Sequence, residues 1–207
     1  VYLIDVKQRN DFLEKEVGTL KESLTKLDEV AKENQRLTEV LNMVSVPEFE
    51  RVGARIIGQD ASRESLTFIL DVGEKQGIQP HMPVITPSGV VGTIRRVQGS
   101  SSLMQSLLDS THIVDGMIER SRSFFIVEGM GAPLIGRLKY LDRAEDIQVG
   151  DEVITSGLDG VFPKGISIGS IIDVERPRSG VKQTAELRPT ADIGKLEEVI
   201  VLKRKAL

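Results

Sequence analysis

The chain has 207 residues with 27 basic and 31 acidic side chains, a formal net charge of −4, a length that fits a helical segment plus one or two small domains rather than one large enzyme domain. The charges are scattered, aromatic residues make up 4% of the chain, Tyr2 and Tyr140 are the only tyrosines and Trp is absent, so neither the basic footprint nor the stacking surface of a nucleic-acid binder is present. Cysteine is absent as well, which excludes disulfides, thiol catalysis and thiolate metal sites.

The first element is a helix. Leu3, Val6, Asn10, Leu13, Val17, Leu20, Leu24 and Leu27 are spaced alternately by three and four residues, the a/d seam of a coiled coil. Charged residues such as Lys7, Glu14, Lys15 and Lys21 fill the spaces between, leaving a stripe narrow enough to suit a partner helix better than a globular core. Beyond Leu27 the spacing breaks and resumes at Val30, Asn34, Leu37, Leu41 and Val44, a stammer that overwinds the supercoil locally. Asn10 falls at an a position, as does Asn34 if the register restarts with Val30 at d, and buried Asn at a fixes a dimer in register; a monomeric helix with both on a solvated flank is the alternative. Pro47 ends the helix, since proline disfavours the helical conformation in the residue before it.

From Arg51 the pattern changes to short Val- and Ile-rich runs separated by Gly, Pro and Asp, the signature of an all-β region. Strands are expected at Val52 to Ile57, Leu66 to Val72, Met82 to Thr86, Val90 to Val97, Leu103 to Leu108, Ile113 to Ile118 and Phe124 to Glu128. Further strands follow at Leu134 to Tyr140, Glu152 to Thr155, Ile166 to Val174, Thr184 to Leu187 and Glu198 to Leu202. Two stretches match: Ile78-Gln79, Val84-Ile85-Thr86 and Gly92-Thr93-Ile94 against Ile147-Gln148, Val153-Ile154-Thr155 and Gly169-Ser170-Ile171. The match predicts a duplicated β module and two small barrels. The chain is thus read as mainly β: a coiled-coil helix at 1–46 for dimerisation and spacing, a first β-barrel-like domain at 51–110 and a second at 111–207. The last strand either stays in the second domain or returns to the first.

Catalytic groups are few. His81, between Pro80 and Met82, reads as a turn residue; Asp109, Ser110 and His112 have the residue types of a hydrolytic triad but are crowded into one loop, whereas a triad draws its members from separate elements around oxyanion donors. Gly129-Met130-Gly131 lacks the sequel of a phosphate loop. The acidic group Asp142, Glu145, Asp146 and Asp151 lacks the spacing of a calcium loop and reads as a solvated turn. The closing Lys203-Arg204-Lys205 reads as a polar tail. No catalytic, metal or cofactor site is expected.

The stretch Asp146-Ile147-x-x-Gly150-Asp151-x-Val153-x-Thr155-Ser156-Gly157-Leu158-x-Gly160-x-Phe162-Pro163-x-Gly165-Ile166-x-Ile168-Gly169 resembles the most characteristic motif of the MreC family of rod-shape-determining proteins. Glu33-Asn34-x-x-Leu37, Ala54-Arg55-Ile56-Ile57-Gly58, Gly73-x-x-x-Gly77-Ile78 and Gly89-Val90-Val91-Gly92 follow the same order. So do Leu107-Leu108-Asp109, Leu138-x-Tyr140-Leu141 and Pro189-x-Ala191-Asp192. The resemblance implies a non-enzymatic bacterial scaffold of the cell-elongation machinery on the extracytoplasmic side of the cytoplasmic membrane. It also implies self-association as a homodimer or larger assembly, binding and activation of a class B penicillin-binding transpeptidase, and partnership with MreD and the MreB system. The family begins with a cytoplasmic tail and one transmembrane helix; no apolar run of about 18 residues occurs here, so membrane attachment is implied only through an anchor upstream of Val1. A periplasmic adaptor of an efflux or secretion pump is the alternative, although such adaptors use a helical hairpin and only one long heptad segment is found. The sequence identifies no partner-binding residues.

Overall fold

The structure, a computed structural model, describes residues 2–41, 48–61, 66–131, 134–176 and 182–205, and within the helix the side chains of residues 13–33. It divides into the helix and the body that follows it. Helix α1 (Tyr2–Leu41) has 40 residues and rises about 60 Å. Local bonds sustain it: the Thr19 and Thr25 hydroxyls donate to the carbonyls of Lys15 and Lys21, and Lys32 pairs with Asp28 one turn earlier. The seam residues Leu13, Val17, Leu20, Leu24 and Leu27 are all exposed, from 48% at Leu13 to 65% at Leu27. Leu3, Val6 and Asn10 lie on the helix with side chains outside the described set, as do those of Asn34 and Leu37. Val44 and Pro47, and with Pro47 the expected helix stop, lie outside the described residues. Among the described residues α1 is the single α-helix.

The body contains strands β1 (Phe49–Ala61), β2 (Leu66–Leu70), β3 (Pro83–Thr86), β4 (Gly89–Gln98), β5 (Ser101–Ser106) and β6 (Ile113–Ile118). Then come β7 (Phe124–Gly129), β8 (Gly136–Asp142), β9 (Glu152–Thr155), β10 (Ser167–Glu175), β11 (Lys182–Pro189) and β12 (Glu198–Arg204). Alternating burial along β5 and β7 reflects the two-residue period of a strand with one face in a core. Strand β1 is longer than its pattern suggests because it serves two partners. Its first half pairs with β12 and its second half with β2, across a bulge between Ile56 and Gly58 that bends the strand and leaves Ile57 pointing outward.

Two closed six-stranded barrels result, ordered β1-β12-β3-β4-β5-β2 and β10-β11-β8-β7-β6-β9. Superposing the orders reveals the duplication: β7, β8, β9, β10 and β11 occupy in the second barrel the places of β1, β2, β3, β4 and β5 in the first. The sixth place, between the first and third strands, is filled in the first barrel by β12 and in the second by β6. The chain is therefore two tandem six-strand repeats that exchange their last strands. The final strand returns to the first barrel, so residues 51–110 do not by themselves close the first, while the second is built from β6 to β11. Leu70, Val84, Met104 and Val201 fill the first barrel, and Val127, Leu138, Val153 and Leu187 the second, each 0% exposed. Burying such a side chain contributes about 1.5–3 kcal/mol, and closure leaves no sheet edge open to a stray strand.

Candidate partner-binding surfaces

The barrels meet where β6 leaves the first repeat. Gly129, ending β7, lies so close to the linker after β5 that a Cβ there would sit 2.3 Å from the Leu108 carbonyl carbon. The Gly131 N–H donates to the Leu108 carbonyl at 2.7 Å. A second approach brings β4 against β10, where a Cβ on Gly89 would fall 2.3 Å from the Ser167 oxygen. Gly129-Met130-Gly131 is thus a packing element of this junction.

The suspected triad residues are structural parts of the same junction. Asp109 is 1% exposed; its carboxylate accepts from the Leu66 N–H, the Gln105 side-chain amide, and both the N–H and hydroxyl of Thr111. Burial alone would raise this carboxyl, but the Thr111 hydroxyl and N–H, with Gln105 and Leu66, outweigh it and hold it at about 2. Asp192 accepts from the Gly194 N–H in the turn before β12, the matching point of the second repeat, so an acid capping the turn into the exchanged strand belongs to the module. His112 is buried and shares a 2.9 Å hydrogen bond with the Thr93 hydroxyl of β4, while its Nδ1 has no partner. Ser110 is half-buried on the same turn.

Burial pushes the His112 imidazole down to about 4 against the opposing pull of Asp109. On acidification the unfolded chain takes up a proton at the ordinary histidine value, about 6.5, while the folded chain resists it until about 4. Stability is therefore complete above the unfolded value and declines as pH falls toward the folded one. Urea unfolding is expected to register a loss of about 2 kcal/mol between pH 7.5 and pH 5, and His112→Gln is expected to flatten that segment of the profile.

The acidic turn is held by cations of the chain itself. The Arg120 guanidinium clamps Asp151 with bonds of 2.8 and 2.9 Å and reaches Asp146 at 2.5 Å. Arg120 accordingly holds the Asp151 and Asp146 carboxyls below their ordinary values. Buried Gln183 donates to the carbonyls of Asp142 and Glu145, so the turn is a braced segment. Among the described residues no His, Asp or Glu group gathers to hold a metal, and no helix is long and apolar enough to cross a membrane. The motif loop after β9 is similarly fixed: the Thr155 hydroxyl donates to the Pro163 carbonyl and accepts from the Ile166 N–H, and Asp159 caps Val161 and Phe162. Phe162 is buried while Leu158 is 71% exposed.

What remains outward is a set of apolar side chains on rigid supports. Ile57 and Ile69 stand on the first barrel, Ile113, Phe124 and Tyr140 on the second, and Lys182 lies over the Tyr140 ring at 5.4 Å. Sequence reasoning missed these because strand alternation identifies an outward position only after the register is known.

Comparison with known proteins agrees with this architecture. The family described as rod shape-determining protein MreC, barrel core, matches residues 56–203. The cell shape-determining protein MreC of Listeria monocytogenes is 32% identical over 99% of this chain and 72% of its own length. That of Escherichia coli is 28% identical over 93% of this chain and 53% of its own length, so the chain spans about half of that relative. The crystal structure of MreC from Pseudomonas aeruginosa superposes with a TM-score of 0.71 at 26% identity, covering 73% of this chain and 98% of that one. Two structures share the fold alone. The major periplasmic domain of the cell shape-determining filament MreC has a TM-score of 0.66 at 17% identity, over 78% of this chain and all of that one. MreC in complex with penicillin-binding protein PBP2 of Helicobacter pylori has a TM-score of 0.56 at 16% identity, over 76% and 99%. None of these is a pump adaptor, and that alternative has no support. With two barrels, a matching barrel core and a relative 32% identical over 99% of this chain, the chain belongs to the MreC family of rod shape-determining proteins.

Proposed function

We propose that the chain is the extracytoplasmic part of a non-enzymatic cell-shape scaffold that holds peptidoglycan-synthesis proteins in place during elongation. The observation that carries this reading is the family membership together with the PBP2 complex of the Helicobacter pylori protein, whose fold this chain shares. A class B penicillin-binding transpeptidase is the proposed partner, held by shape and apolar contact against the barrels' outward side chains. MreD and the MreB system are the further partners, and a membrane anchor upstream of Val1 would tether the assembly. The segment 1–46, with α1 in it, acts as spacer and dimerisation element: the open seam at Leu13, Val17, Leu20, Leu24 and Leu27 supports a second helix as its cover. The barrels, begun at residues 51–110 and 111–207, present the binding faces.

Pull-down of a transpeptidase ectodomain by the folded chain at micromolar concentration tests this. Stoichiometric recovery is expected, and recovery no greater than on bare resin would sink the reading.

A further inference from the structure

The duplication places the same hollow on the outside of both barrels, and the two copies carry different chemistry. In the first barrel a bulge between Ile94 and Arg96 makes Arg95 the extra residue of β4 opposite β5, and Arg95 and Arg96 are both exposed. In the second, the bulge between Ile171 and Asp173 makes Ile172 the extra residue of β10 opposite β11. The registers correspond residue for residue: Arg96 faces Leu103 as Asp173 faces Glu186, Gln98 faces Ser101 as Glu175 faces Thr184. Ile69 faces Leu103 as Arg137 faces Glu186.

Each bulge opens a hollow lined from equivalent positions. That of the first barrel, 140 Å³, includes Ile69, Arg96 and Leu103; that of the second, 300 Å³, includes Arg137, Asp173, Glu175 and Glu186. With Arg95 alongside, the first is a cationic rim around two apolar side chains, and the second is acidic by three carboxylates to one guanidinium. The fold does not require either set, since each barrel closes with the other's residues at the same places. Among the described residues Arg95, Arg96, Asp173 and Glu175 have no ion-pair partner.

We infer that the cationic bulge of the first barrel docks on the acidic bulge of the second barrel of another copy of this chain. The guanidinia of Arg95 and Arg96 meet Asp173 and Glu175, and Ile69 and Leu103 are covered in the process. Arginine suits the contact because its planar fork pairs bidentately with carboxylates. A contact between two different patches is heterologous, so it either closes on itself or propagates. This inference deepens the self-association proposed above and rests on that reading.

Sedimentation velocity of the whole chain at low and high salt supplies the test, with two reversed variants, Arg95→Glu/Arg96→Glu and Asp173→Lys/Glu175→Lys. All four positions are exposed, so the fold is expected to survive, with circular dichroism as the check. The unmodified chain is expected to show a salt-sensitive association step. Each reversed variant alone faces like with like and is expected to weaken that step by about tenfold or more, while an equimolar mixture of the two restores it. A mixture no better than its components, a step that persists in either variant, or no salt-sensitive step at all overturns the inference. Leu20→Glu/Leu27→Glu separates the two readings: it removes helix pairing and leaves the salt-sensitive step in place. Loss of all association in that variant alone would keep self-association through the helix and discard the bulges.

Discussion

Asp109→Ala is expected to destabilise the barrels by about 4 kcal/mol at neutral pH, as read from urea unfolding midpoints with an unchanged slope. The buried carboxylate is the common acceptor of four donors, from Leu66, Gln105 and Thr111, and alanine abandons them all. A buried donor stripped of its partner costs about 1–3 kcal/mol, more where the lost acceptor was charged. The Leu66 N–H, with no route to water, bears the full penalty; Gln105 and Thr111 recover part of theirs from solvent. Asp109→Asn keeps one acceptor oxygen and is expected to cost about half as much. The charged form also sets a pH signature. Because the folded carboxyl sits at about 2 and the unfolded one near 3.9, its stabilisation is complete above the unfolded value and is lost as pH falls through that interval. The Asn variant lacks this acid limb. Equal stability of Asp109→Ala and the parent chain would show that the cap is dispensable.

Gly129→Ala is expected to be comparably severe, about 3 kcal/mol or more. The added Cβ would lie 2.3 Å from the Leu108 carbonyl carbon, 2.4 Å from the Asp109 oxygen and 2.6 Å from the Leu108 oxygen. All three obstacles are backbone, so no rotamer change relieves them and the linker itself must move, taking the Gly131 to Leu108 bond with it. Amide exchange is expected to rise first at Gly129 and Gly131. Gly53→Ala in β1, where a Cβ would meet nothing within 4 Å, is the matched control and is expected to be near neutral. Similar destabilisation in both variants would mean that glycine's backbone freedom, rather than the close approach, accounts for the loss.

Much of the fold was legible along the chain, for reasons visible in individual segments. Ile113–Ile118 and Glu152–Thr155 occupy their expected bounds, since Thr111-His112 and Gly150-Asp151 mark their starts and alternation carries the rest. Boundaries drifted where pairing overrode local pattern: β1 extends to Phe49 because β12 offers Arg204 opposite it, a partner some 150 residues away. The repeat was legible from Ile78 and Ile147 onward, but the exchange of β6 and β12 was not. Both are apolar strands of similar length, and which barrel each closes shows only in long-range pairing, β6 with β7 and β9 and β12 with β1 and β3, rather than in composition. At the surface, the Arg95-Arg96 pair lies within the expected strand Val90 to Val97, and nothing in the strand pattern sets it apart. Its meaning depends on a bulge, and a bulge is a property of two strands. The helix itself was easy to read, because a helix keeps its own register.

The pairing of Phe49 with Arg204 has a mechanical consequence. The two ends of the barrel body enter and leave side by side on β1 and β12, joined further by the Lys205 N–H to Glu48 carbonyl bond. Tension between these ends loads that single antiparallel ladder in peeling geometry, one rung at a time, and the second barrel stays off the load path until the first has opened. Once β12 is stripped away, β6 still belongs to the second barrel, so the body yields in two stages.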